Sequence, residues 1–216
     1  MSAIDDNSRE PLIKGIICHA AFDWAFRDQG QALVNRMRAE VPDELGQLGL
    51  EPGRRGGGFR DSNWYAAKPV HALLDSMMRA YPESEHLELA ARGGRFIFER
   101  QLRGVQRSLF KVMMKPRRYL RHAPRAWKHY FSDGSIQYST SESGTEREWH
   151  RSMYSHWGSH HPLICRMMMS GRVVVYEAMG CLDTQLEIEH CDPTGRGCAS
   201  VVSWNSASTP PPDSAP

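Results

Sequence analysis

The stretch CRMMMSGRVVVYEAMGCLDTQLEIEHCDPTGRGCASVVSW, residues 165–204, decides how this chain is read, because four of its five cysteines fall there. The run 162–180 has the apolar density and length of a helix, opened by Pro162. Residues 184–191 then alternate as a strand, with Leu186, Ile188 and His190 on one face and Glu187, Glu189 and Cys191 on the other. Asp192-Pro193-Thr194-Gly195 is a turn signal, and 198–204 alternates again as the partner strand. Residues flanking such a turn face each other, so Cys191 and Cys198 approach one another with six residues between them. Cys165, at the start of the preceding helix, can return over the same end. With Glu189 two residues before Cys191, the set Cys165, Glu189, Cys191 and Cys198 offers three sulfurs and an oxygen, a donor set suited to a structural Zn²⁺. Two plainer readings stand beside it: half-buried thiols acting as small hydrophobes, and a Cys191–Cys198 disulfide.

Working outward, residues 135–140 and 146–153 read as another pair of strands, while most of 11–131 carries helical periodicity. The fold class that follows is α+β, an N-terminal helical layer packed on a small antiparallel sheet. Residues 1–10 read as a disordered arm, 11–204 as one domain, and the Pro/Ser-rich 205–216 as a disordered tail. Residues 12–18 form a compact apolar run, either a strand or the beginning of the first helix. The segment 22–38 reads as a helix interrupted at Gly30, and 51–63, with four glycines, as a loop. Gly93-Gly94 sits inside a helical pattern at a cost of about 2 kcal/mol against alanine, which points to a close packing contact or a kink there. Bases at 100, 103, 107, 111 and 115 form one stripe of a helix running to Pro116, and a break is expected near Pro124.

Charge is unevenly spread. Residues 91–130 hold twelve Arg or Lys and one acid, Glu99, leaving fifteen bases against twenty-four acids elsewhere. No helix-turn-helix or RNA-binding pattern accompanies the basic stretch, and aromatics are not interleaved for base stacking, so nucleic acid is not expected as a partner. No run approaches the ~18 apolar residues of a membrane span. The first ten residues lack the cationic-then-apolar pattern of a secretory signal. A cytoplasmic protein with free or metal-bound thiols is the expectation. Nucleotide-binding and hydrolase fingerprints are missing, so an enzyme is not expected. His156, His160 and His161 read as solvated loop residues beside Gly158 and Pro162.

The order Cys165, Gly171, Gly180, Glu189, Cys191, Gly195, Cys198, Trp204 resembles the 4-vinyl reductase domain, a small-molecule-binding module related in fold to heme-NO-binding sensor domains and to TRAPP-type trafficking subunits. Ile13-Lys14-Gly15, Trp64-Tyr65, Pro116-Arg117-Arg118-Tyr119-Leu120 and Pro124-Arg125-Ala126-Trp127 are similar to a paralogous group of such proteins abundant in myxobacteria. The resemblance implies a zinc held by a helix cysteine, a glutamate and two hairpin cysteines. Cys165, Cys191 and Cys198 match in order. The family's glutamate position is Ile188 here, so Glu189 is the candidate, with Glu187 and His190 behind it. The resemblance also implies a pocket for a hydrophobic or aromatic small molecule between helices and sheet. Trp64, Tyr65, Tyr119, His122, Trp127, Trp149 and methionines 167–169 are candidates to line it; His122, Trp127 and Trp149 are carried forward as ligand-binding residues. The heme-binding relatives carry a Tyr-x-Ser-x-Arg run, and Tyr138-Ser139-Thr140-Ser141 lacks the arginine, so heme is not expected. The function implied is a non-catalytic sensor that signals through a homodimer or a partner protein. Its rivals are a scaffold with a self-filled pocket and a heme-based gas sensor.

Overall fold

The computed structural model describes residues 10–141, 147–192 and 197–205. The expected arm, the tail beyond Asn205, the turn 193–196 and most of the 141–145 turn lie outside the described residues. The apolar run 12–18 is both things it suggested: strand β1 (Leu12–Lys14) passes directly into helix α1 (Gly15–Gln29). Gly30, at φ 57°, ends α1 and lets α2 (Gln31–Glu40) turn away, and α3 (Pro42–Leu48) follows with Pro42 in its first turn. Strand β2 (Trp64–Ala66) pairs with β1 as a two-stranded ribbon and leads into α4 (Ala67–Met78).

Helix α5 (His86–Gln101) is separated from α6 (Val105–Met113) by Gly104 at φ 58°. The basic stripe therefore spans two helices and not one, because the α5 hydrogen-bond ladder stops at Leu102 and the chain turns through Gly104, at positive φ, before α6 begins. Helix α7 (Pro116–Tyr130) runs through Pro124 without the expected break. Pro124 is exposed, so its ring lies where no neighbouring element is displaced.

The main sheet has the order β3-β4-β6-β5, all antiparallel, from β3 (Ser135–Thr140), β4 (Arg147–Ser155), β5 (Leu182–Cys191) and β6 (Gly197–Asn205). Helix α8 (Pro162–Ala178) lies against it. The α+β architecture read from the sequence is the observed one. Register places Ile136, Tyr154 and Cys198 in one row across the sheet, and Tyr138, Ser152, Ser200 and Ile188 in the next. These rows face the helices. Ser139, Arg151, Val201 and Glu187 form the row beyond the second, on the opposite face.

The glycine pair in α5 serves close packing. A methyl group on Gly94 would sit 2.1 Å from the Met167 carbonyl oxygen of α8, and one on Gly171 of α8 would sit 2.1 Å from the Phe98 ring. Both helices thus give up a side chain where they meet, which brings α8 deep enough into the molecule for its middle to be wholly buried.

Candidate functional site

The end of α8 is built for a cluster. Trp157 is buried and its indole N–H donates to Ser159 Oγ at 2.9 Å. Asp133 holds the same serine twice, accepting from its backbone N–H at 2.9 Å and from its hydroxyl at 2.6 Å. The loop is thereby fixed just before His160, whose backbone N–H donates to the Trp157 carbonyl and whose ring meets the Trp157 indole edge-on at 5.1 Å. His161 caps the helix, its Nδ1 accepting from the Leu163 N–H. Cys165 then lies one turn inside α8, on the side of the hairpin.

Across from it, Cys191 and Cys198 are register partners at the ends of β5 and β6. The Cys191 and Cys198 sulfurs are 3.5 Å apart and the Cys165 and Cys191 sulfurs 3.6 Å. His160 Nε2 lies 3.2 Å from Cys191 Sγ and 3.4 Å from Cys198 Sγ. The four donor atoms all fall within 4.8 Å of one another. Thiolates at about 2.3 Å from a tetrahedral zinc are spaced by about 3.8 Å, so the arrangement needs only a small expansion to enclose an ion. The sulfur separations are far beyond the ~2.05 Å of a disulfide, and all described cysteines are free thiols.

The structure brings Cys165, Cys191 and Cys198 together and leaves Glu189 outside. The reason is a β-bulge: Ile188 pairs with Ser200 but His190 with Ala199, so two residues of β5 advance against one of β6. A regular strand would put Glu189 on the face of Cys191. The extra residue reverses the alternation, keeps Cys191 inward with Leu186 and Ile188, and sends Glu189 to the other face. There its carboxylate accepts from Arg151 Nε at 2.7 Å. His160 stands in the fourth place instead. It is buried, not solvated, because the Trp157–Asp133 anchor folds the loop inward. The dipeptide His160-His161 directly before Pro162, with a cysteine five residues on, was the signal available for it.

Three thiols at van der Waals distance cannot all ionise unaided. Hydrogen bonding among the three sulfurs raises the pKa of Cys165, lowers that of Cys191 to about 4 and lowers that of Cys198, so that a proton is shared between them. The nearby His160 adds to the lowering at Cys191. A bound dication would replace that shared proton with two charges on the same lone pairs.

Two turns further along α8, Arg172 is buried, the single charge in the run 167–176. Its Nη1 donates to Ser200 Oγ at 2.9 Å and lies 3.5 Å from Tyr154 Oη. Nε and Nη2 have no hydrogen-bond partner among the described residues, and no carboxylate there pairs with it. Around it stand Tyr119, Tyr138, Tyr154 and Tyr176. Burial pushes Tyr119 up to about 12 and raises the other three, so all are neutral phenols at neutral pH. Arg172 lines a cavity of about 60 Å³ between α5, α7, α8 and the sheet. A second cavity of about 40 Å³, lined by apolar side chains of α1, α4, α5 and α8, shares Phe98 and Met168 with the first. Sequence reasoning missed Arg172; a lone charge inside MMMSGRVVVY was its trace.

The residues expected to line a pocket divide accordingly. Trp127 and Tyr119 line the arginine cavity, Met167 the apolar one, and Met168 both. Trp127 also donates from its indole N–H to the Asp133 carbonyl at 3.1 Å. His122 is exposed, because the buried side of α7 is the Tyr119, Ala123, Trp127 line and His122 falls off it. Trp149 lies on the outer face of the sheet, opposite Ser203, on the wrong side of the strand for either cavity. Tyr65 is buried against Phe59, Trp64 is 39% exposed beneath Lys14, and Met169 is buried beside Cys165.

No family model matches the sequence, and no curated protein matches it. Solved structures do match the fold. A point mutant of the Fe(II) unliganded H-NOX protein from K. algicida superimposes with a TM-score of 0.60 at 15% identity, over 91% of this chain and 98% of that one. A T. tengcongensis H-NOX mutant gives 0.57 at 10% identity, over 89% and 97%. An oxygen-binding H-NOX domain related to soluble guanylate cyclases, in its oxygen complex, gives 0.56 at 10%, over 89% and 94%. The chain has the H-NOX, heme-NO-binding type of fold along nearly its whole described length.

Proposed function

We propose that this protein is a non-catalytic small-molecule sensor domain whose closing hairpin is held to α8 by a structural zinc on His160, Cys165, Cys191 and Cys198. The observation that carries the sensor reading is the pair of adjoining cavities, one apolar and one bearing Arg172, in a domain of H-NOX-like fold. The ordered cysteine set and its resemblance to the 4-vinyl reductase domain support the zinc. A set of three sulfurs and one nitrogen, with three of its four residues buried, is closed to substrate, as structural zinc sites are. Free thiols fit a reducing, cytoplasmic setting, and no described helix is long and apolar enough to cross a membrane. Output would pass to a dimer mate or a partner protein.

The fold favours one other reading. The H-NOX neighbours include an Fe(II) form and an oxygen complex, which gives no support to the expectation against heme. The residues lining the two cavities fit a histidine-ligated heme poorly: no histidine is among them, and the apolar cavity offers only methionine sulfurs and the Cys18 thiol, which burial pushes up to about 12. Native mass spectrometry of the purified chain, followed by a visible spectrum after heme addition, tests both readings. One zinc and no Soret band supports the proposal; less than about a third of an equivalent of zinc removes the metal, and a sharp Soret band makes the protein a heme sensor. A chain whose melting temperature no hydrophobic compound raises would be the scaffold instead.

A further inference from the structure

Arg172 has an unused side. Of its five N–H donors, those on Nη1 are directed at Ser200 and Tyr154, while Nε and Nη2 are buried with no hydrogen-bond partner of ordinary geometry among the described residues, the neutral Tyr176 phenol standing close to the guanidinium. Nε–H and Nη2–H lie on one edge of the guanidinium and form the fork that receives the two oxygens of a carboxylate in a bidentate pair. The walls supply no such group: the surrounding tyrosines are neutral, and no acidic side chain pairs with the arginine among the described residues. A cation buried among phenols and apolar side chains is costly to keep unless something neutralises it.

We propose that Arg172 anchors the carboxylate of an organic acid whose apolar body packs on Phe98 and Met168 and reaches toward the apolar cavity. The proposal rests on the small-molecule sensor reading above and names its ligand class. The arginine cavity has room for about four to six waters, counting one water per ~10–15 Å³. That admits a head group and a small ring. Phe98 and Met168, each half-buried, form the wall common to both cavities, so their side-chain rotation would join the two. One carboxylate neutralises one guanidinium. An inorganic phosphate would carry excess charge into a site with a single cation and would leave the apolar cavity unused.

Calorimetric titration of the full, zinc-loaded chain at pH 7.5 tests this with phenylacetate and octanoate against 2-phenylethanol and octanol, and with inorganic phosphate as the ion-only control. Each acid is expected to bind at least tenfold tighter than its alcohol and than phosphate, and Arg172→Met to lose that preference. An alcohol binding as well as its acid, phosphate binding tighter than either acid, or an Arg172→Met chain retaining the acid affinity within twofold would overturn the inference while leaving the sensor reading in place. Binding of none of these compounds would overturn both. Should Arg172→Met fail to fold, Ala126→Trp blocks the cavity from an exposed position on α7 and is expected to abolish acid binding; unchanged affinity in that variant overturns the proposal equally.

Discussion

The Arg172 guanidinium donates to Ser200 Oγ at 2.9 Å, and each partner sits a short step from a cluster sulfur. Ser200 is two residues along β6 from Cys198 and shares its face; Arg172 is seven residues, or about two helical turns, along α8 from Cys165. The same helix and the same strand therefore carry both the sulfur cluster and the cavity cation. Whatever fixes Cys165 to Cys198 also fixes the height of Arg172 over the sheet.

The first expected outcome concerns metal content. Measured by plasma mass spectrometry, the purified chain should hold about one equivalent of zinc. His160→Ala and Cys191→Ser should each fall below about a third of an equivalent and melt at lower temperature, since a structural site contributes folding free energy directly. Glu189→Gln should keep its metal, because that carboxylate serves Arg151 on the far side of the sheet. Zinc loss in Glu189→Gln with retention in His160→Ala would reverse the assignment of the fourth ligand.

Removing the metal should weaken the cavity. Stripping zinc with a strong chelator, under conditions that keep the chain folded by circular dichroism, is expected to lower phenylacetate affinity about fivefold or more, a coupling of ordinary size between two sites. Equal affinity with and without zinc would show that α8 and β6 hold their spacing without the ion.

How much of this was legible beforehand depended on range. The span of α8, the four strands and the three clustered cysteines follow from periodicity and turn chemistry, which are local. His160 is recruited by Asp133, twenty-seven residues away in sequence, through Ser159 and Trp157, and no local pattern reports such an anchor. His122 and Trp149 look alike in composition to Trp127, yet only Trp127 faces inward; a shift along a helix face or to the neighbouring strand position decides it. Arg172 stands as a lone charge in an apolar run, and local pattern gives it no role because its partners, on β4 and β6, are eighteen and twenty-eight residues distant.

Acidification should destabilise the protein through His150. Its ring is 1% exposed, contacts Tyr176 Oη at 2.7 Å through Nδ1, and is held neutral: burial first, then the charges of Arg172 and Arg117, lower its pKa to about 3. The unfolded chain takes up this proton at about pH 6.5, the folded one far lower, so stability is present at neutral pH and lost as pH falls below about 6.5. At pH 5 the loss amounts to about 2 kcal/mol. Melting curves of wild type and His150→Gln at pH 7.5 and 5 should show a shallower drop in the variant; parallel curves would mean that His150 protonates in place.

The α5–α8 contact should tolerate no added carbon. Gly94→Ala places a methyl group against the Met167 carbonyl, which is backbone and cannot rotate aside. A loss of about 1–3 kcal/mol is expected in denaturant unfolding, despite the better helix propensity of alanine. Gly46→Ala, in α3 with nothing within 4 Å of the new methyl group, is the control that should be neutral or stabilising.

The bulge at Glu189 has a consequence for how such a chain changes over generations. Cys191 points inward because the bulge absorbs the one residue that β5 carries beyond β6 across that interval. Losing that residue would leave a regular strand with Cys191, two positions after Ile188, still opposite Cys198. Gaining one more, with no second bulge to absorb it, would turn the thiol to the other face with every ligand residue still encoded. The proposed metal site is thus written in the length of a strand as much as in the identity of four side chains, and a comparison of ligands alone would not register its loss.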